Sequence, residues 1–248
     1  MKIIFLGTGE AFDENCPNNC LLLDINGYNL LLDCGYSAPI QIWKYNPDQS
    51  FLDAIYISHL HADHYFGLPA LLVRMWEEKR VKPLKIICFK GWGPMIEAVI
   101  EAGYKGFKDR FSFHIEIQEI EGSQVIEPGI RFVLAPTVHT AVNMAVRVEA
   151  SEKAVCYSGD GVFTPETEEI YKDADLVIHE AYLYDEKRFG HSRITDLLDM
   201  AKRDRVKCLA LTHINRNLRK RKGQLAKTVA MMTKVKVIIP EPMEFYEA

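Results

Sequence analysis

The chain has 248 residues, 48% of them hydrophobic and 26% charged, with a formal net charge of -4 at pH 7. That balance supplies a full buried core and excludes a disordered, collagen-like or coiled-coil chain. The negative charge argues against a surface that coats nucleic acid at large, while leaving room for a local basic patch.

The chain opens on the apolar run that predicts a strand at Lys2–Leu6, then passes straight into Gly, Asp and Glu without a signal-peptide cleavage pattern. Predicted strands Cys20–Ile25 and Asn29–Asp33 flank Asn26-Gly27, the strongest hairpin signal present. Strand Ala54–Ser58, helix Tyr65–Arg80, strand Leu84–Phe89 and helix Pro94–Ala102 follow. Phe111–Ile120 alternates apolar and polar residues, as a half-exposed strand does. Strands Arg131–Ala135, Met144–Glu149 and Ala154–Tyr157 lead to helix Thr164–Tyr171, where Thr164 caps and Pro165 takes the first helical position. Strand Leu176–Ile178, helix Ile194–Arg205, strand Lys207–Leu211, helix Gln224–Thr233 and strand Lys236–Ile239 complete the series. A hairpin-rich first third before strand-helix alternation predicts one domain, residues 1–248, built as two mixed sheets flanked by helices. No apolar run approaches the roughly 18 residues of a membrane span. Cys16, Cys20, Cys34, Cys88, Cys156 and Cys208 form no Cys-x-x-Cys pair, which reads as free thiols in a reducing cytoplasm.

Several predicted strands end in the same kind of residue. Ala54–Ser58 runs into His59, Arg131–Ala135 leads to His139, and Ala154–Tyr157 ends at Ser158-Gly159-Asp160. Leu176–Ile178 ends at His179-Glu180, and Lys207–Leu211 at Thr212-His213. Carboxyl ends of strands commonly converge on one rim where sites form. The segment HLHADH is the densest cluster, with His59, His61, Asp63 and His64 within six positions. Chance produces that pattern in roughly five of ten thousand shuffled chains of this composition, so it is read as chemistry. His59 and His61, alternate residues at a strand end, can ligate one metal; Asp63 and His64 can hold a second. Nitrogen and hard-oxygen donors without thiolate suit a catalytic Zn²⁺ or Mn²⁺ and not a structural cysteine site.

With Leu31-Leu32-Asp33-Cys34-Gly35 before it and His139, Ser158-Gly159-Asp160 and Thr212-His213 after it, HLHADH resembles the metallo-β-lactamase superfamily. Leu6-Gly7-Thr8-Gly9, His179-Glu180-Ala181 and Gly190-His191-Ser192 resemble the ribonuclease Z branch and its phosphodiesterase relatives. The resemblance spans Leu6 to His213 and implies a four-layer αββα sandwich. It also implies two divalent metal ions, zinc first and manganese second. His59, His61 and His139 would hold the first ion, Asp63, His64 and His213 the second, and Asp160 would bridge them. Asp33 would support the ligands from behind. The implied reaction is phosphodiester hydrolysis by a hydroxide shared between the metals, oriented by Asp63. His191, held by Glu180, would protonate the leaving oxygen.

This chain departs from the branch in two places. Arg193 follows Ser192 where a threonine is usual. His139 and Asp160 are only 21 positions apart, an interval already filled by two predicted strands, whereas many ribonuclease Z enzymes insert there an arm that grips transfer RNA. Beyond His213 lies a basic run of Arg216, Arg219, Lys220, Arg221, Lys222 and Lys227. It reads as a solvated face or a phosphate-attracting one, with Arg216 the best phosphate contact. The substrate is expected to be a small phosphodiester or RNA, with no membrane partner and a homodimer left open. Competing readings are an ester, lactone or thioester hydrolase of the same superfamily, and a transfer-RNA 3′ processing endonuclease. A di-iron relative, which typically carries glutamate where His61 stands, and a non-catalytic binding module fit less well.

Overall fold

The computed structural model describes residues 1–248. Strands β1 (Lys2–Gly7), β2 (Cys20–Ile25) and β3 (Tyr28–Leu32) form an antiparallel meander. Strands β4 (Ala54–Tyr56), β5 (Leu84–Phe89) and β6 (Ile115–Ile120) extend it in parallel. Their connections contain helices α1 (Ala38–Tyr45), α2 (Ala62–Tyr65), α3 (Leu68–Glu77) and α4 (Gly93–Gly103). The second half repeats the scheme. Strands β7 (Ser123–Glu127), β8 (Ile130–Pro136), β9 (Met144–Ala150) and β10 (Lys153–Tyr157) are antiparallel. Helix α5 (Pro165–Tyr171), strand β11 (Leu176–Glu180), helix α6 (Ile194–Arg203) and strand β12 (Cys208–Thr212) follow. Helices α7 (Arg216–Arg219) and α8 (Lys222–Met232) then lead to β13 (Lys236–Ile238). Strands β10 to β13 run parallel, and β14 (Phe245–Glu247) returns to pair with β1.

The result is two seven-stranded mixed sheets, ordered β14-β1-β2-β3-β4-β5-β6 and β13-β12-β11-β10-β9-β8-β7. Strand side chains alternate between faces, and here both faces are covered. Ile3, Phe5, Leu21 and Leu23 pack between the sheets with Phe132, Val146 and Tyr157. Ile4, Leu6 and Leu22 face outward onto Ile42, Leu71 and Ile96. On the other sheet Val177, Leu209 and Leu211 meet Leu197 and Leu225. Double coverage explains why the inner strands read as unbroken apolar runs, while β6 at a sheet edge keeps the alternation.

Two expected elements change shape. The predicted helix Tyr65–Arg80 divides into α2 and α3, because a Cβ at Gly67 would lie 2.2 Å from the Gly35 carbonyl oxygen. This backbone crossing holds the metal-motif loop against the Asp33 loop. The strand expected over Phe111–Ile120 begins only at Ile115, after a 3₁₀ turn at Lys108–Arg110. Elements α1, α7, β7 and β14 lie where no element was expected. Thr164 caps α5 in a reciprocal capping box with Thr167, as its sequence predicts.

Candidate metal centre

The loops after β4, β8, β10 and β12 bring their polar residues into two adjoining clusters, His59–His61–His139 and Asp63–His64–Asp160–His213. In the first, His61 Nδ1 lies 3.1 Å from both His59 Nε2 and His139 Nε2. One N–H cannot donate to both, so this packing leaves opposed lone pairs. In the second, His64 Nε2 stands 3.3 Å from Asp63 and 3.5 Å from Asp160, and His213 Nε2 stands 3.4 Å and 3.3 Å from the same carboxylates. A tetrahedral cation with donors at about 2.0–2.1 Å spaces them about 3.3–3.4 Å apart. His64 Nε2 and Asp160 Oδ1 are buried without hydrogen-bond partners. Donor types, spacing and orphaned atoms therefore fit divalent metal.

Asp160 lies between the clusters, with Oδ1 toward His64 and Oδ2 toward His213 and, at 3.8 Å, His139. Its backbone is fixed by Asn143, whose Oδ1 accepts from Asp160 N at 3.1 Å while Nδ2 donates to Thr137 Oγ1 and the Ser158 carbonyl. The preceding Gly159 has φ of 60°. A Cβ there would sit 2.3 Å from Asn143 Oδ1 and 2.7 Å from Ser58 Cβ. Gly159→Ala should thus displace Asn143 and add about 1–2 kcal/mol of left-handed backbone strain. Thermal unfolding and metal titration should both show weakening; unchanged values would contradict the tight packing behind Asp160.

Asp33 is fully buried beneath the centre. Its carboxylate accepts from Ser58 N and Ser58 Oγ at 2.7 Å each, and from Tyr157 OH at 2.6 Å. Its Oδ2 also meets His64 Nδ1 at 2.7 Å, which turns Nε2 of that ring toward Asp63 and Asp160. His139 is oriented similarly, with Nδ1 2.7 Å from the Gly190 carbonyl. Asp33 and His213 both adopt positive φ, 62° and 51°, an unfavourable backbone region for residues with a Cβ.

Burial pushes His59 well below the ordinary histidine range, favouring a neutral donor ring. For Asp63 and Asp160, burial opposes ionisation, but His64 and His213 outweigh it and hold both carboxyls well below their usual range. For His213, burial again opposes charge, yet Asp160 and Asp63 lift its pKa to about 9. A raised histidine pKa contributes stability below the unfolded value, about 6.5, and that contribution is lost as pH rises through the folded one. Protein stripped of metal should therefore lose melting temperature between about pH 6.5 and 9. Ligated histidine carries no such proton, so metal should flatten this slope. A level or rising melting temperature in the chelated protein would contradict these pairings.

A cleft of ≈ 340 Å³ opens over the clusters, lined among others by Phe12, Tyr36, Tyr182, Arg188 and His191. His191 Nδ1 is 3.5 Å from Glu180. Glu180 is fully buried and accepts backbone N–H groups of Gly161, Tyr182 and Ser192. Arg216 is directed to the buried Glu10 carboxylate and does not line the cleft. In the rest of the basic run, Arg219 and Lys222 pair with Glu241, and Lys220 stands 3.9 Å from Glu14. Sequence reasoning missed Arg188, Tyr182, Asn143, Tyr157 and Ser58, none of which stands in a metal-ligand pattern.

The family model described as Anti-Pycsar protein Apyc1 matches residues 1–238. Ribonuclease Z of Methanothermobacter thermautotrophicus is 27% identical over 270 aligned positions, covering 87% of each chain. Anti-Pycsar protein Apyc1 of Saccharibacillus brassicae is 27% identical over 189, covering 74% of this chain and 78% of its own. Human tRNase Z, short form, superposes with a TM-score of 0.81 at 25% identity, covering 100% of this chain and 99% of that one.

Proposed function

The chain belongs to the Anti-Pycsar protein Apyc1 family, and from that membership we propose a metal-dependent phosphodiesterase of the ribonuclease Z-like branch, acting on small diesters. The fold is the αββα sandwich of two mixed sheets flanked by helices, the metallo-β-lactamase fold of its neighbours. We assign His59, His61 and His139 to one divalent ion and Asp63, His64 and His213 to another, with Asp160 shared. Zinc is the first choice and manganese the second. Bound there, such ions supply Lewis acidity toward a phosphoryl oxygen and lower the pKa of water.

The protein's own groups do the rest. Asp63 accepts a hydrogen bond from the attacking water and aims it at phosphorus. Asp33 keeps His64 in one tautomer. His191, with Nδ1 turned to Glu180, offers Nε2 to the cleft and gives its proton to the departing oxygen as the phosphorus–oxygen bond breaks. Glu180 fixes the backbone on both sides of this loop. All six cysteines are buried and unpaired, which supports a reducing cytoplasm, and no helix is long and apolar enough to cross a membrane. Residues 1–248 act as one hydrolase domain in this reading.

The observation that carries the small-substrate reading is the cleft together with its surroundings. Its ≈ 340 Å³ lies at the low end of single-ligand sites. The interval from His139 to Asp160 holds only β9, the turn at Ser151-Glu152 and β10, and much of the nearby basic run is neutralised by carboxylates. The names ribonuclease Z and tRNase Z among the relatives favour precursor transfer RNA as the second reading. Binding energy from remote substrate parts would raise turnover on so large a substrate. We expect kcat/KM for small diesters to exceed that for precursor transfer RNA by at least about tenfold in one metal buffer, a margin of roughly 1.4 kcal/mol. Efficient 3′ cleavage of the RNA with negligible diester turnover would reverse the assignment.

A further inference from the structure

The inference concerns what aims His191, and it rests on the hydrolytic reading above. Glu180 does not hold the ring by a hydrogen bond. Its oxygens already receive the backbone N–H groups of Gly161 at 3.2 Å, Tyr182 at 3.0 Å and Ser192 at 2.7 Å. His191 Nδ1 is buried without a hydrogen-bond partner; at 3.5 Å from Glu180 it lies beyond good N–H···O range. The imidazole instead stacks on Tyr182, with ring centroids 4.4 Å apart and planes inclined by 25°. That tyrosine is in turn engaged by Arg188. The guanidinium lies 4.9 Å from the ring centroid, and Nη1 donates to the phenol oxygen at 3.3 Å. Arg188 is the only arginine or lysine lining the cleft.

We propose that Tyr182 is the positioning residue for His191 and that Arg188 clamps Tyr182. The stack restrains the plane of the imidazole, so the proton on Nε2 meets the departing oxygen along a fixed line. The backbone supports the same geometry, because His191 N donates to the Arg188 carbonyl at 3.2 Å. A tight turn thereby carries both ends of the stack. A misplacement of about 1 Å in a reacting group costs on the order of 10²-fold in rate, so loss of the stack should be read in kcat.

The test compares kcat and KM of metal-loaded wild type, Tyr182→Leu, Tyr182→Phe and Arg188→Gln on diesters with alkoxide and nitrophenolate leaving groups. Tyr182→Leu should lower kcat on the alkoxide substrate by about 10- to 100-fold, with a much smaller loss on the nitrophenolate. Tyr182→Phe keeps the stacking face and should recover most of that loss. Arg188 is exposed, so Arg188→Gln should fold normally. It should show a smaller loss with the same leaving-group signature, and add little in the Tyr182→Leu background, as expected of residues acting through one contact. An equal KM increase on both substrates for Arg188→Gln would make it a substrate contact and overturn the clamp. Losses independent of leaving group in Tyr182→Leu, or a Phe variant as impaired as Leu, would overturn the positioning role. A wild type that cleaves no diester at any metal load would instead remove the hydrolytic reading itself.

Discussion

Replacing Asp160 by alanine should empty both cation positions and abolish hydrolysis, the largest effect expected of any single substitution. The carboxylate is buried, one oxygen faces His64, and the other faces His213 and His139, so its removal subtracts an anionic donor from both clusters. The first cluster would then present only neutral imidazoles, and the second would keep one carboxylate, Asp63, for two rings. The rate loss should exceed the about 10- to 100-fold typical of losing an outer hydrogen-bond partner. Elemental analysis of protein purified without chelator should fall from about two equivalents of metal toward zero. His213→Ala should chiefly weaken one position. Full metal retention in Asp160→Ala would show that the carboxylate lies outside the coordination sphere.

His191→Ala should lower turnover by about 10²- to 10⁴-fold, the usual contribution of a general acid, while leaving metal content unchanged. The loss should be greatest for alkoxide leaving groups, which cannot depart unprotonated, and should shrink for nitrophenolate. His191 lines the cleft beside His139 and His213, close enough to serve a leaving oxygen. Steady-state kinetics across a leaving-group series, paired with metal analysis, separates the roles. Metal loss would make His191 a ligand. A uniform loss across leaving groups would deny it the proton.

The two-sheet architecture was legible because coverage on both faces produces long apolar runs, and because Asn26-Gly27 and Thr164-Pro165 mark a turn and a helix start by local chemistry. The metal-motif residues were legible for a different reason: three histidines and an aspartate within six positions have no packing explanation. What escaped was set by tertiary contact. The break between α2 and α3 comes from the approach of Gly67 to the Gly35 carbonyl, some thirty residues away in sequence. The short strand β14 forms only because β1 offers an edge. Tyr157, Ser58 and Asn143 converge beneath the centre through pairings across the molecule, and no spacing announces them. Arg216 looked available for phosphate beside His213, but its partner Glu10 comes from the other end of the chain.

The central claim is that this constellation hydrolyses phosphodiesters with two cations acting together. Its most direct test is a titration of Zn²⁺ or Mn²⁺ into chelated protein, following cleavage of a small chromogenic diester at each increment. The account predicts negligible rate without metal, a steep rise as the second site fills, and a plateau at about two equivalents per chain. Full activity in the chelated protein, or a plateau reached at one equivalent, would contradict it.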